Sequence, residues 1–321
     1  MAWYNKIGDE GDVVLASVLT LKRNLKDYPF PSQLDKESEY EISKKVSLAL
    51  DGLGFDFFES SSLTSVECGA LCEKKYMSEN ASFLFLSKEE GVSISVCAEN
   101  HIEIKVALQG LSLARAEELL FFYDSLFDKK LTYAFDEKYG YITTSPKDLG
   151  CGENLSVTLF LPAHEECKKI SEIASFASAD GLVLSGGPYI YEIKTAKTLG
   201  YTEKELLLSL SKLVYKIITR ERDLRFELYD DSLLTIENRI MCSYGKALHA
   251  ILLSEDELTL IFADLRLGII LGIGGYNISY ETLGEMYVNT LPFALKAAYK
   301  GEDNSDRARA KCVRDLISIG R

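Results

Sequence analysis

Positive charge is in short supply in this sequence. Its 36 Lys and Arg stand against 49 Asp and Glu, giving a formal net charge of -13 and a pI near 4.9. Nucleic acid and anionic membrane are bound through clustered Lys and Arg, so neither is expected as a partner. A triphosphate is an awkward ligand for the same reason unless local cations outweigh the global field. No apolar run reaches membrane length, and the opening MAWYNKIGDEGD has no basic start followed by an apolar stretch, which points to a cytoplasmic protein. Internal repeats and low-complexity segments are missing as well. Seven cysteines, an odd number, make no disulfide framework and read as free thiols. Cys68 and Cys72 lie four apart, as do Cys97 and His101, and counting alone leaves zinc open. The second pair falls at a strand end, however, where that spacing does not bring side chains together, so small packed thiols and a hydrogen-bonded histidine are expected and no metal.

What is there is an ordinary globular composition: 47% apolar and 26% charged over 321 residues, enough for one large domain or for one medium and one small. Residues 13–25 are apolar and β-branched and fit strand or helix, and a helical stripe runs from Asp35 to Leu50. A short helix near Ser65 to Tyr76 precedes a hairpin, Ser82 to Ser87 and Val92 to Val96, turned by Lys88-Glu89-Glu90-Gly91. Ile102 to Leu108 reads as a strand and Gly110 to Asp128 as an amphipathic helix. Ser156 to Leu161 is the best single strand, Ala163 to Ala179 a helix, and Leu182 to Leu184 with Tyr189 to Lys194 a second hairpin. From Thr202 strand signals all but vanish. Thr202-Glu203-Lys204-Glu205 and Ser254-Glu255-Asp256-Glu257 are capping boxes that open helices. The expected division is a sheet-and-helix domain over 1–229 and a helical domain over 230–321.

The stretch from Tyr133 to Pro162 carries the functional question. Gly150 and Gly152 permit unusual backbone, and a glycine-rich turn feeding a strand cradles phosphate if cationic or N–H donors converge on it. Its first part, YAFDEKYGYITTSPKDLGCG, resembles the D-E-K-x-G-Y-x-T-x-C-P-x-N-x-G-T-G motif of the ATP:guanidino phosphotransferase family. SISVCAENHIEIK is similar to that family's N-E-E-D-H-x-R strand, and VVLASVLTLKRNLKDYPFP to its SSRVRLARNL segment. CSYGKALHAILLSEDELTLIFADLRLGIILGI resembles the C-terminal domain of the bacterial protein arginine kinase branch. The resemblance implies an α+β fold: an antiparallel sheet flanked by helices, then an all-helical C-terminal domain.

The family moves a γ-phosphoryl group from Mg-ATP to a guanidinium nitrogen, and its phosphate charge is neutralised by five arginines. The resemblance places those positions at Val18, Thr20, Glu103, Asn154 and Ser185. Losing one such donor typically costs about 3 kcal/mol of transition-state stabilisation, so losing the set implies neither nucleotide affinity nor turnover, and no cofactor is expected. Lys22 is the best substitute cation if its segment is a strand, because it then shares a face with Thr20. Arg23 matches a family arginine outside the cradle. Of the two carboxylates that hold the acceptor, Glu99 occupies the first position as a remnant. The second has no home in the shortened loop around Gly187, Pro188 and Tyr189. Ser145 stands at the reactive cysteine, and Cys151 lies further along the turn. In the helical half, Asp306 and Arg309 match part of the branch's phosphoarginine-binding R-D-x-x-R-A segment.

These readings imply a pseudokinase that works by binding. Its partner would be an active arginine kinase, that kinase's activator or Clp-type quality-control machinery, with phosphoarginine proteins as possible ligands and a homodimer or heterodimer as the form. The alternative is an active protein arginine kinase using Mg-ATP.

Overall fold

A computed structural model describes residues 2–89, 91–229, 232–275 and 278–319. Glu90 of the expected hairpin turn and residue 230 at the expected domain boundary lie outside the described residues. The centre of the fold is an eight-stranded sheet in which every neighbouring pair is antiparallel. Its strands are β1 (Val14–Arg23), β2 (Phe55–Glu59), β3 (Phe83–Ser87), β4 (Val92–Val96), β5 (Ile102–Gln109), β8 (Glu153–Phe160), β9 (Leu182–Gly186) and β10 (Ile190–Thr195), in the order β2-β3-β4-β5-β1-β8-β10-β9. A two-residue ribbon, β6 (Phe135–Asp136) with β7 (Gly140–Tyr141), lies apart from it.

The ambiguous segment 13–25 is therefore strand, and the reason is tertiary. β1 sits between β5 and β8 and pairs with both along most of its length. Leu19 and Leu21 point to one side, joining Ile94, Ile104, Val106, Leu155, Val157 and Ile193 in the main core. That side is covered by α1 (Lys36–Ala49), α3 (Leu113–Asp128), α5 (Ile170–Ala179) and the long α6 (Glu203–Tyr229), which contribute Ile42, Leu120, Ile173 and Leu213 among others.

Three details depart from the sequence expectations. β2 was not anticipated: its Phe-Asp-Phe-Phe-Glu run takes strand form because β3 offers it an edge. The expected helix from Ala163 to Ala179 is two, α4 (Pro162–Glu166) and α5, separated where Lys168 takes a φ of 55°. The apolar pattern from Leu234 to Leu253 reads in the sequence as one helix, but that helix ends earlier, as α7 (Leu233–His249), with extended backbone at Ala250.

Beyond Tyr229 the described elements are all helices: α7, α8 (Glu255–Ile270), α9 (Tyr280–Asn289), α10 (Pro292–Ala298) and α11 (Ser305–Ile319). Both capping boxes form. Glu205 N–H donates to Thr202 Oγ1 at 3.3 Å, and Glu257 N–H to Ser254 Oγ at 3.2 Å. A third, unanticipated box, Thr64 with Glu67, opens α2 (Ser65–Glu73). The helices have their own core around Leu253, Leu265, Leu283, Met286 and Val313, against which Leu15 and Ile190 of the sheet also pack. Among the described residues no helix is long and apolar enough to cross a membrane.

Candidate functional site

Strand alternation decides which side chains meet. On β1 the residues between the core positions are Val18, Thr20 and Lys22, and they face away from the main core. Register carries that face across the sheet. Val18 lies opposite Ala107 and Ser156, Thr20 opposite Lys105 and Asn154, and Lys22 opposite Glu103. On the far side Glu192 lies opposite both Thr158 and Ser185. The pairing therefore brings Val18, Thr20, Glu103, Asn154 and Ser185, five positions separated by up to 167 residues in sequence, onto one face of one sheet.

At the Lys22 end this face is a closed polar network. Lys22 Nζ lies 2.9 Å from Glu99 Oε2 and 2.8 Å from Asp148 Oδ2. Desolvation works against its charge, but hydrogen bonds to Asp148 and Glu99 and the fields of Glu103 and Asp148 outweigh that, and the pKa is raised. Asn154 Nδ2 donates to the other Asp148 oxygen at 3.1 Å. Glu103 is buried and turned onto Asn100, accepting its backbone N–H at 3.2 Å and its side-chain N–H at 3.1 Å. Next to it, Lys105 is pushed below the ordinary lysine range by desolvation, which Glu103 partly offsets. Farther along, Lys75 and Glu192 pair at 2.6 Å. Sequence reasoning placed Glu99 and Lys22 but missed Asp148, which is buried. The signal was present, since Asp148 stands where the quoted motif has asparagine.

At the Val18 end the face is apolar. Val18, Ala16 and Ala107 are buried together with Trp3, with Tyr76 just beyond α2 and with Val288 of α9. Trp3 is fixed there by its indole N–H, which donates to Lys74 O at 2.9 Å.

The glycine turn keeps its shape and closes on protein. Asp136 Oδ1 accepts the N–H groups of Lys138 at 2.8 Å and Tyr139 at 3.0 Å. Gly152 has a φ of 68°, and a Cβ there would come within 2.8 Å of Lys22 O, so the turn requires glycine. Its carbonyl accepts the Lys22 N–H at 2.9 Å, and the Cys151 carbonyl accepts Arg23 Nη1 at 2.8 Å. Arg23 lies on the opposite side of β1, buried, paired with Asp124 and stacked 3.5 Å from the Tyr141 ring centre. Burial pushes the Cys151 thiol up to about 11 and Cys97 up to about 12, which suits packed thiols and not nucleophiles.

His101 is structural. Its Nδ1 accepts the Leu25 N–H at 3.0 Å and its Nε2 lies 2.8 Å from Pro29 O, which fixes a neutral ring protonated at Nε2. Desolvation lowers its pKa, only partly opposed by the Pro29 contact. The ring should stay neutral at about pH 6, where a free imidazole is mostly charged, and its nitrogen chemical shifts would show this directly. His164 is held 2.6 Å from Glu221 in the buried junction of α4 and α6. Among the described residues no cluster of His, Cys, Asp and Glu could hold a metal.

In the helical part Arg309 is buried on α11. Nη1 donates to Leu253 O and to Asp306 Oδ1, both at 2.7 Å, and Nη2 lies 3.2 Å from Glu255 Oε1. Arg309 Nε has no partner among the described residues. The guanidinium borders a cavity of about 160 Å³ that Thr259, Phe262, Met286 and Thr290 help to line. Asp306 and Arg309 thus meet, and Glu255 joins them from the capping box of α8.

Comparison with known proteins agrees with this architecture. Residues 19–224 match the sequence model of the ATP:guanido phosphotransferase C-terminal catalytic domain. A protein-arginine kinase of Caldanaerobacter subterraneus subsp. tengcongensis is 32% identical over 308 residues, covering 90% of this chain and 91% of the relative. A protein-arginine kinase of Brevibacillus brevis is 31% identical, covering 99% and 95%. Among solved structures, the duplicated taurocyamine kinase of Schistosoma mansoni superposes with a TM-score of 0.61 at 18% identity, covering 75% of this chain and 39% of that one. Lombricine kinase superposes with a TM-score of 0.59, also at 18% identity, covering 71% of each chain. At that identity the structures speak for the fold alone, while the family match and the two full-length relatives fix the ancestry: this chain belongs to the ATP:guanido phosphotransferase family.

Proposed function

We propose that this chain is a non-catalytic member of its family, a pseudokinase that acts by binding, as regulator of an active arginine kinase or as adaptor in Clp-type protein quality control. One observation carries the reading. On the sheet face where the resemblance puts the five phosphate-binding arginines, the cation nearest the glycine turn is Lys22, and two carboxylates already hold it. A lysine so neutralised has little charge left for a triphosphate, and it lacks the bidentate geometry of arginine. Val18 supports the same reading from the other end, because a phosphate there would meet Trp3, Tyr76 and Val288. Calorimetric titration with Mg-ATP should show no binding in the micromolar range. Micromolar affinity would sink the proposal.

A second reading, an active protein arginine kinase, is favoured by the names of relatives that match nearly the whole chain. It requires transfer from labelled ATP to an arginine-rich protein as acid-labile phosphate, abolished by Glu99→Ala. Under either reading Asp306 and Arg309 are proposed to receive phosphoarginine. The unpaired Nε and the adjoining cavity support this, and occupancy would require Glu255 to yield its contact. A phosphoarginine peptide should lose at least tenfold in affinity on Arg309→Ala, about what one charge-assisted phosphate contact is worth.

A further inference from the structure

Beside the old catalytic face lies a second concavity that neither kinase chemistry nor the phosphoarginine contact uses. It is an open groove of about 1170 Å³ between α1, the end of β2 and α2. Its lining is mainly apolar, with Cys68, Cys72, Met77, Phe83 and Phe293 among the contributors. Phe293 comes from α10 and lies directly on α2. A Cβ on Gly69 would come within 2.5 Å of its ring, so Gly69 is what allows α10 to close this end. The Phe293 N–H is anchored to the Glu73 carboxylate at 3.0 Å.

The charged groups that line the groove are of one sign with a single exception. Glu39, Glu59, Glu73 and Glu79 stand against Lys36. Through Glu39, Ser78, Glu79, Asn80 and Ser82 the groove runs into a neighbouring cleft of about 630 Å³, which Glu99 and Glu103 also line and to which no Lys or Arg among the described residues contributes. Aromatic surface continues outward from it: Tyr40 and Phe57 both pack on Phe83 and remain 48% and 51% exposed.

The sheet leads into this groove. β2 is one of the two edge strands, paired on one side only among the described residues, and its last residue, Glu59, is part of the lining. An edge strand offers unpaired backbone N–H and C=O groups to a further extended chain, whose alternate side chains then point to opposite sides. Here the side chains of such a segment would meet apolar groups, Met77 and Phe293 among them, interspersed with the carboxylates of Glu39, Glu59 and Glu79.

We infer that this groove docks an extended segment of a partner protein in which lysine or arginine alternates with apolar residues. The inference rests on the reading of the chain as a binding protein and gives that reading a partner chemistry. Charge complementarity selects the segment's basic positions, and the net charge of -13 steers it inward. Because point charges do the recognising, lysine serves as well as arginine. This sets the groove apart from a guanidinium-reading acceptor site.

The test is fluorescence anisotropy on the full chain with labelled peptides alternating lysine with valine, arginine with valine, glutamate with valine, and lysine with glycine. The lysine and arginine peptides should bind alike and weaken with salt, the glycine peptide should bind less tightly, and the glutamate peptide should not bind. Glu59→Lys combined with Glu79→Lys, at an unchanged melting temperature, should weaken binding by about tenfold or more, the scale of two charged contacts reversed. Equal binding by the glutamate peptide, no saturation by the lysine peptide, or a folded double variant that binds like the parent would overturn the inference. Mg-ATP titration is independent of every one of these outcomes, so the groove and the pseudokinase reading fail separately.

Discussion

Replacing Glu153 with glutamine is expected to stabilise the protein by about 3 kcal/mol at pH 7 and by almost nothing at about pH 4. Glu153 opens β8 on the core side of the sheet, fully buried, and neither carboxyl oxygen has a partner among the described residues. Desolvation, reinforced by Glu117 and Glu203 and opposed by Arg23, pushes its pKa up to about 8. The sign follows from the two states. Between an unfolded value of 4.5 and about 8, the unfolded chain releases this proton while the folded chain keeps it, so stability falls as pH rises through that window. Each tenfold difference in proton affinity is worth about 1.4 kcal/mol, which gives the figure at pH 7. Glutamine removes the titration and keeps the shape. Glu153→Leu should gain at least as much, since it also removes two unpaired buried oxygens. Urea denaturation of parent and variant at several pH values checks the claim, and parallel stability curves from pH 4 to about 8 would refute it.

A cost of that size at the head of β8 bears on how the glycine turn is held. Gly152 and Glu153 join the polar face to the core. On one side of the joint Asn154 reaches Asp148, and on the other Glu153 sits unpaired beside the buried Arg23. An active phosphoryl-transfer site concentrates cations where phosphate will lie. This site concentrates carboxylates, Glu99, Glu103 and Asp148, on the cleft face, with the protonated carboxyl of Glu153 behind it. The acidity seen in composition is therefore local as well as global, and the same sign continues into the groove lined by Glu39, Glu59 and Glu79.

Much of this was legible in the sequence because local chemistry carries it. The capping boxes at Thr202 and Ser254 formed as their spacing implies, since reciprocal side-chain and backbone bonds need only three residues between the partners. The family motif located the face, because Val18, Thr20, Glu103, Asn154 and Ser185 are brought together by strand register once the sheet exists. Which partners their neighbours find was not legible. Lys22 meets Asp148 across 126 residues, and nothing in either local pattern says that a turn carboxylate will reach a strand lysine. β1 stayed ambiguous between strand and helix for the same reason, as its apolar run suits either and only β5 and β8 decide. The groove was invisible because its lining comes from α1, β2, α2 and α10, elements that share no motif.

Removing the Arg23 side chain should cost about 3–5 kcal/mol, the usual price of leaving a buried charge without its partner. Arg23 is 1% exposed, and its Nε and Nη2 lie 3.2 and 3.0 Å from the two Asp124 oxygens. It also donates to Cys151 O and stacks on Tyr141, so Arg23→Met breaks an ion pair, a turn contact and a cation–π contact together. Arg23→Lys should recover only part of the loss, because an ammonium cannot span both carboxylate oxygens and the carbonyl at once. Adding Asp124→Leu to Arg23→Met should restore part of the stability by removing the stranded carboxylate. The same substitution has a second consequence next door. Arg23 lowers the Glu153 pKa, so without it Glu153 should hold its proton to still higher pH; the stabilisation by Glu153→Gln should then be unchanged at pH 7, where the folded group is protonated either way, and should grow in the Arg23→Met background only above about pH 8. A double-mutant cycle at about pH 9 reads that coupling directly, and strict additivity there would show that the arginine does not reach the buried carboxyl.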